Sequence, residues 1–236
     1  MKIAVLVYGE FREFDTLIKH WNFLNEINHD MYFVTWDYSL QIHNHFGIKR
    51  ERHITDELVK STVPNAEYQI LKESDYFEDT LSPNRNKAHR VMVHWKKCLD
   101  MVKKSGKEYD LIMLTRTDNY TEYNLTEEKL QGLNRTDAIY GLTNIHLSRP
   151  HSFFVQDLFF LGDYKIMSNL IETLPHDIYS MHNNLSEHII KLGYYVEKIF
   201  YIEVTTFRPN CLNMSKQIDY QSVCKKHIEW HTTEKL

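Results

Sequence analysis

Residues 2–12 read KIAVLVYGEFR, and this stretch sets the fold. Lys2 to Tyr8 is an apolar run rich in Val, too short for a helix, as expected of a strand buried on both faces. The run stops at Gly9, and Arg12 follows. Phe14, Leu17, Ile18, Trp21 and Leu24 then recur at helical spacing, which predicts an amphipathic helix over about residues 14–27. DMYFVTW, residues 30–36, reads as a second strand. Such a β-α-β opening makes the two strands parallel, with a right-handed crossover, and gathers the loops that follow them on one edge of the sheet.

The alternation continues along the chain. Thr55 is placed to cap a short helix, and Glu67 to Leu71 forms a weak strand. The strongest helical pattern takes Ser82 as its cap and Pro83 as its first residue. Its apolar face is Ala88, Val91, Met92, Trp95, Leu99 and Val102, and Gly106 stands where a helix stop is expected. YDLIMLT, residues 109–115, is the next buried strand. Further strands are expected at about residues 138–142, 158–161 and 194–204, with helices at about 163–174 and 184–192. The pattern predicts an α/β fold with a mostly parallel sheet flanked by helices. With 236 residues, 42% of them apolar, one core is the expectation. Residues 1–204 make the domain; from Thr205 the periodicity fades, and residues 205–236 are expected to pack on it as an irregular tail.

Composition narrows the partners. The net charge is −4 and the basic residues are scattered, so the footprint of a nucleic-acid binder is missing. No stretch approaches the roughly 18 apolar residues of a membrane helix, and the opening reaches charge and Gly too soon for a signal peptide. A cytoplasmic location is therefore expected. Cys98, Cys211 and Cys224 are widely spaced without a CxxC pair and read as reduced thiols. Cys224, His227 and His231 have the spacing of three zinc ligands on a helix, but no fourth ligand accompanies them, and exposed tail histidines are the plainer reading. His43 and His45 fall in a polar loop. His89 and His94 flank the apolar face of the long helix and read as satisfied surface histidines, nucleotide contact being the other option.

In open α/β sheets, ligands bind beyond the carboxyl ends of the strands, so the residues just after each apolar run are the ones to inspect. These are Gly9 to Arg12, Asp37, Arg116 to Asp118, and Gln156 with Asp157. A guanidinium beside a glycine turn can grip phosphate; a strand-end carboxylate can accept from a ribose or hold a divalent ion. For each residue alone, a solvated loop charge or a helix cap is the competing reading. Glu187, three residues after Asn184, also matches a capping box.

KIAVLVYGEFREF, VTWD and YDLIMLTRTDNY, followed by DLFFLGDYKIM and SEHIIKLGYYV, together resemble the small GT-A-like glycosyltransferases of viral and bacterial polysaccharide loci, over about residues 1–204. The resemblance implies a GT-A-like, Rossmann-related sheet and transfer of a sugar from a nucleotide-sugar donor to a glycan or other hydroxyl acceptor. Gly9, Arg12, Asp37 and Arg116 are implied to bind the nucleotide. Arg116-Thr117-Asp118 occupies the place of the family's Asp-x-Asp motif, with Arg in the first acidic position. Asp118 is implied to hold Mn²⁺ or Mg²⁺ beside the diphosphate, and Arg116 either neutralises leaving-group charge or forms a structural salt bridge. Asp157 and Glu187 are the candidates for the catalytic base. Two rivals stand beside this reading. A nucleotidyltransferase usually has a Gly-rich loop, where this chain has only Gly9; a non-catalytic nucleotide-sugar-binding protein is favoured by the missing first acid.

Overall fold

Strand β1 (Ile3–Tyr8) is buried along its whole length and divides the core in two. Ile3, Val5 and Val7 enter one apolar cluster, and Ala4, Leu6 and Tyr8 enter the other, as the two-residue period of a strand requires. The computed structural model describes residues 1–12, 14–43, 48–76, 83–120, 124–133, 136–145, 153–175, 181–198 and 205–206.

Along the chain after β1 come α1 (Phe14–Leu17), β2 (His29–Trp36), β3 (Tyr38–His43), β4 (Ile48–His53), α2 (Asp56–Thr62) and β5 (Glu67–Leu71). The middle holds α3 (Pro83–Lys104), β6 (Leu111–Arg116), β7 (Asn119–Tyr120), α4 (Glu127–Gln131) and β8 (Ala138–Ile145). The last part holds β9 (Phe153–Asp163), α5 (Tyr164–Thr173), α6 (Met181–Lys191), β10 (Tyr195–Lys198) and β11 (Thr205–Thr206). Among the described residues, a seven-stranded sheet has the order β10-β8-β9-β6-β1-β2-β5. The pairs β1 with β2, β1 with β6, β2 with β5 and β8 with β10 are parallel. Only β9 is reversed, pairing antiparallel with both β6 and β8. This is an α/β fold with a mostly parallel central sheet flanked by helices, compatible with a Rossmann-like arrangement. The cluster of Ala4, Leu6 and Tyr8 is covered by α3, α5 and α6, and that of Ile3, Val5 and Val7 by the segment after β1 together with α2 and α4.

Several expectations hold in detail. Thr55 caps α2 by accepting from the Leu58 amide at 3.3 Å. Helix α3 begins at Pro83, and Gly106 beyond its end has a left-handed φ of 65°. Ser82, its expected cap, lies outside the described residues. Asp163 caps α5 by accepting from the Lys165 amide at 2.8 Å.

Other expectations are corrected. The helix expected over residues 14–27 is one short α-helical turn, α1, followed by 3₁₀ turns at Ile18–His20 and Asn22–Leu24. Trp21 leaves the helical region at φ −81°, ψ 62°, and its indole N–H donates to the Asn119 carbonyl at 2.8 Å. That buried bond and the packing of Trp21 against Phe14 and Phe23 replace the helical path, while Phe14, Leu17, Trp21 and Leu24 stay buried as their spacing implied. Residues 38–53 carry an unforeseen hairpin, β3 with β4; His43 ends its first strand, and His45 lies outside the described residues. Helix α6 starts at Met181, so Asn184 is inside it rather than at its cap. Strand β10 runs over Tyr195–Lys198, and residues 199–204 of the expected strand lie outside the described residues. The expected tail begins with Thr205 and Thr206 paired to Tyr120 and Asn119. Cys211, Cys224, His227 and His231 lie outside the described residues. No described helix is long and apolar enough to cross a membrane.

Candidate functional site

After β1 the chain proceeds to β2 on one side, while β6 lies on the other, so the sheet switches direction between β1 and β6. A crevice at such a switch point is where α/β sheets receive ligands. Here a cavity of about 330 Å³ is walled by the turn after β1, the turn after β6, Trp36 at the end of β2, and one face of α3. Gly9, Arg12, Arg116 and Asp118 all line it, so the structure brings these strand-end residues together.

The two turns interlock. Thr117 donates its amide to the Tyr8 carbonyl at 3.1 Å and its hydroxyl to the Glu10 carbonyl at 2.6 Å. Gly9 sits at φ 123°, and a Cβ there would lie 3.2 Å from Thr117 Oγ1, so this close approach requires glycine. From below, Asn119 holds Thr115 Oγ1 through its side-chain amide at 3.1 Å.

Asp118 is 3% exposed and faces two arginines. Arg116 grips it as a fork, Nε to Oδ1 at 2.8 Å and Nη2 to Oδ2 at 2.7 Å, and Arg12 Nη1 also donates to Oδ2. Arg12 holds a left-handed φ of 43°, uncommon for a residue with a side chain. Its amide donates to Ser39 Oγ at 3.3 Å, and its carbonyl accepts from Arg52 Nη1 at 3.3 Å. Arg52 also grips Asp15, with bonds of 3.2 and 2.8 Å. The hairpin of β3 and β4 thus braces the backbone of Arg12 from outside.

Helix α3 adds Lys87, Arg90, Val91 and His94, which share one face at helical spacing. Arg90 is paired with Glu73. His94 is 1% exposed and stacks on Trp36 with ring centroids 4.1 Å apart. Its Nδ1 accepts from the Gly9 amide at 3.2 Å, so the neutral ring carries its proton on Nε2. Burial, with the charge of Arg90 adding to it, pushes His94 down to about 3 and keeps it neutral. The surface placement expected for His89 and His94 is corrected, since both are buried. Across the cleft, the basic groups of Arg12, Arg116, Lys87 and Arg90 outnumber the acids Glu10 and Asp118, even with Glu73 counted.

The remaining expected residues lie elsewhere. Asp37 Oδ1 accepts from the Glu73 amide at 3.1 Å, and the Asp37 backbone bonds Leu71 and Ile54, so it caps the turn after β5; its neighbour Trp36 reaches the cleft. Asp157 lies on β9. It stands two residues before Phe159, the β9 residue that pairs with Thr115 near the end of β6, in the stretch between Val155 and Phe160 where the register of β9 against β8 shifts. Its side chain is outside the described set. Glu187 is exposed on α6, bonded to Asn184 Nδ2 at 3.4 Å, and does not line the cleft. The sequence reading missed Lys87, Arg90 and the bracing Arg52. The 87-90-94 spacing on the long helix and the alternation of residues 38–42 were the available signals.

The resemblance implies a divalent cation at Asp118. Such ions take oxygen ligands, usually carboxylates beside phosphate and water. Both Asp118 oxygens instead accept from guanidiniums, and no group of three or more His, Cys, Asp or Glu side chains suited to a metal occurs among the described residues. The donor set fits an anion better than a cation. No protein-family model matches the chain, and no curated protein matches its sequence.

Proposed function

We propose that the chain is a glycosyltransferase that moves a sugar from a nucleotide-sugar donor to a glycan or other hydroxyl acceptor. One observation carries the reading: a cation-rich cleft opens at the switch point between β1 and β6, its guanidiniums preset by Asp118. The strand order, with the reversed β9 beside β6, is consistent with the GT-A-like sheet that the sequence resembles.

In this reading the donor's diphosphate lies against Arg12, Arg116, Arg90 and Lys87. The acceptor oxygen attacks the anomeric carbon, the carbon–oxygen bond to the diphosphate breaks, and its electron pair leaves on the phosphate oxygen. Fixed guanidiniums meet that charge without reorganising, the condition under which electrostatic stabilisation lowers a barrier most. Asp157, at the same sheet edge, is proposed to take the acceptor proton; Glu187, off the cleft, has no part in this scheme.

A second reading, a non-catalytic nucleotide-sugar binder, draws on one observation. Both carboxylates that line the cleft, Glu10 and Asp118, are engaged by Arg12. Thermal unfolding with UDP-, GDP-, dTDP- and CMP-sugars, followed by product analysis with hydroxyl acceptors, separates the readings, because specific binding raises the midpoint by mass action. A shift with one nucleotide class plus release of its nucleotide, the nucleoside diphosphate from UDP-, GDP- or dTDP-sugars and CMP from CMP-sugars, supports the transferase. A shift without product leaves the binder, and no shift with any donor removes both.

A further inference from the structure

Asp118 occupies the position where the resemblance implies a cation ligand, yet its surroundings are those of an orienting group. It is buried, and its carboxylate fixes the planes of two guanidiniums, that of Arg116 at the end of β6 and that of Arg12, which lies 106 residues before Asp118 in the turn after β1. A divalent ion on these oxygens would have to displace Arg12 and Arg116 and then sit beside their charges. Arg12 is not free to retreat, because its amide, its carbonyl and its guanidinium are all held.

A second observation at the same place also points to an anionic or oxygen-rich ligand. His94 lines the cleft, is 1% exposed, and its Nε2 has no hydrogen-bond partner among the described residues. With Nδ1 committed to the Gly9 amide, Nε2–H is a buried neutral donor, and an unmade bond of this kind is costly unless something accepts it. Lys87 has no ion-pair partner among the described residues and faces the same space.

We propose that the cleft takes the diphosphate of its ligand without a divalent cation, Asp118 serving as the positioning carboxylate that presents Arg12 and Arg116. The proposal rests on the nucleotide-sugar reading above and specifies the form of the ligand: a metal-free nucleoside diphosphate. Arg12, Arg116, Arg90 and Lys87 supply the positive charge that a metal ion would otherwise bring, and His94 adds an uncharged donor at the floor.

Calorimetric titration of the wild-type chain with UDP, GDP and inorganic pyrophosphate, in EDTA and again in Mn²⁺, tests it. The expected result is the same affinity in both buffers for the nucleotide that binds. Asp118→Asn should weaken binding about 10-fold or more in EDTA and in Mn²⁺ alike, the scale of losing a charge-assisted bond. Affinity that depends on Mn²⁺, or an Asp118→Asn loss confined to Mn²⁺, overturns the metal-free assignment and leaves the functional reading standing. No binding of any probe in either buffer overturns both. The wild-type comparison decides the matter even if the variant does not fold.

Discussion

The Gly9 amide donates to Nδ1 of His94 at 3.2 Å and thereby ties the turn after β1 to the middle of α3. The bond needs an unprotonated Nδ1, which makes the neutral ring part of the native structure. The unfolded chain takes up a proton on this histidine near pH 6.5, whereas the folded chain, its value pushed to about 3 by burial and by Arg90, does not. The stability from the neutral ring is therefore complete above about pH 6.5 and is lost as pH falls toward about 3, with a slope up to about 1.4 kcal/mol per pH unit. Urea denaturation of wild type and His94→Asn between pH 7 and 4 should show the steeper fall in the wild type. Parallel slopes would show that native His94 protonates at its ordinary value.

Gly9→Ala tests the interlock of the two turns. At φ 123° an alanine is strained, and its Cβ would stand 3.2 Å from Thr117 Oγ1, so a loss of about 1–3 kcal/mol is expected. Nucleotide affinity should fall with it, because the Gly9 turn carries Arg12 into the cleft. Unchanged stability in chemical denaturation would mean that the turn relaxes freely.

Arg12→Ala should weaken nucleotide binding by about 1.5–3 kcal/mol, the range for a bond to a charged group. Arg12→Gly should lose the same affinity yet be the more stable variant by about 1 kcal/mol, since glycine adopts the φ of 43° without penalty. Calorimetry and denaturation on the pair separate the guanidinium's contribution from that of the backbone. Equal stability of the two variants would show that the bracing by Ser39 and Arg52 leaves no strain at residue 12.

Asp157→Asn keeps shape and removes basicity. If Asp157 takes the acceptor proton, turnover should fall by roughly 10²- to 10⁴-fold with donor affinity retained. Wild-type turnover in this variant would place the base elsewhere.

Much of the fold was legible because buried strands announce themselves locally. β1, β2 and β6 are apolar runs closed by polar residues, and α3 combines a Pro start, a 3.6-residue period and a Gly stop. The 14–27 segment misled because helical spacing records burial, not backbone path. Its apolar residues are buried, yet Trp21 satisfies its indole N–H at Asn119, a partner 98 residues away that no local pattern contains. β4 went unread because its residues, IKRERH, are mostly charged, and its pairing depends on β3 opposite.

The sequence alone determined the layers, the run of strands, and the residues that close each strand, since these follow from local periodicity and from the change between apolar and polar side chains. It put Gly9, Arg12, Arg116 and Asp118 at strand ends and so at one edge of the sheet. Only the tertiary structure decided which charges meet there. Tyr8 pairs with Arg116 in the β1–β6 register, bringing Arg12 onto Asp118, while Asp37 turns to the Glu73 amide and His94 is drawn beneath Gly9. Ion pairs and buried hydrogen bonds act through space over a few ångströms, so their partners are set by strand register and helix packing, and a one-dimensional pattern holds neither.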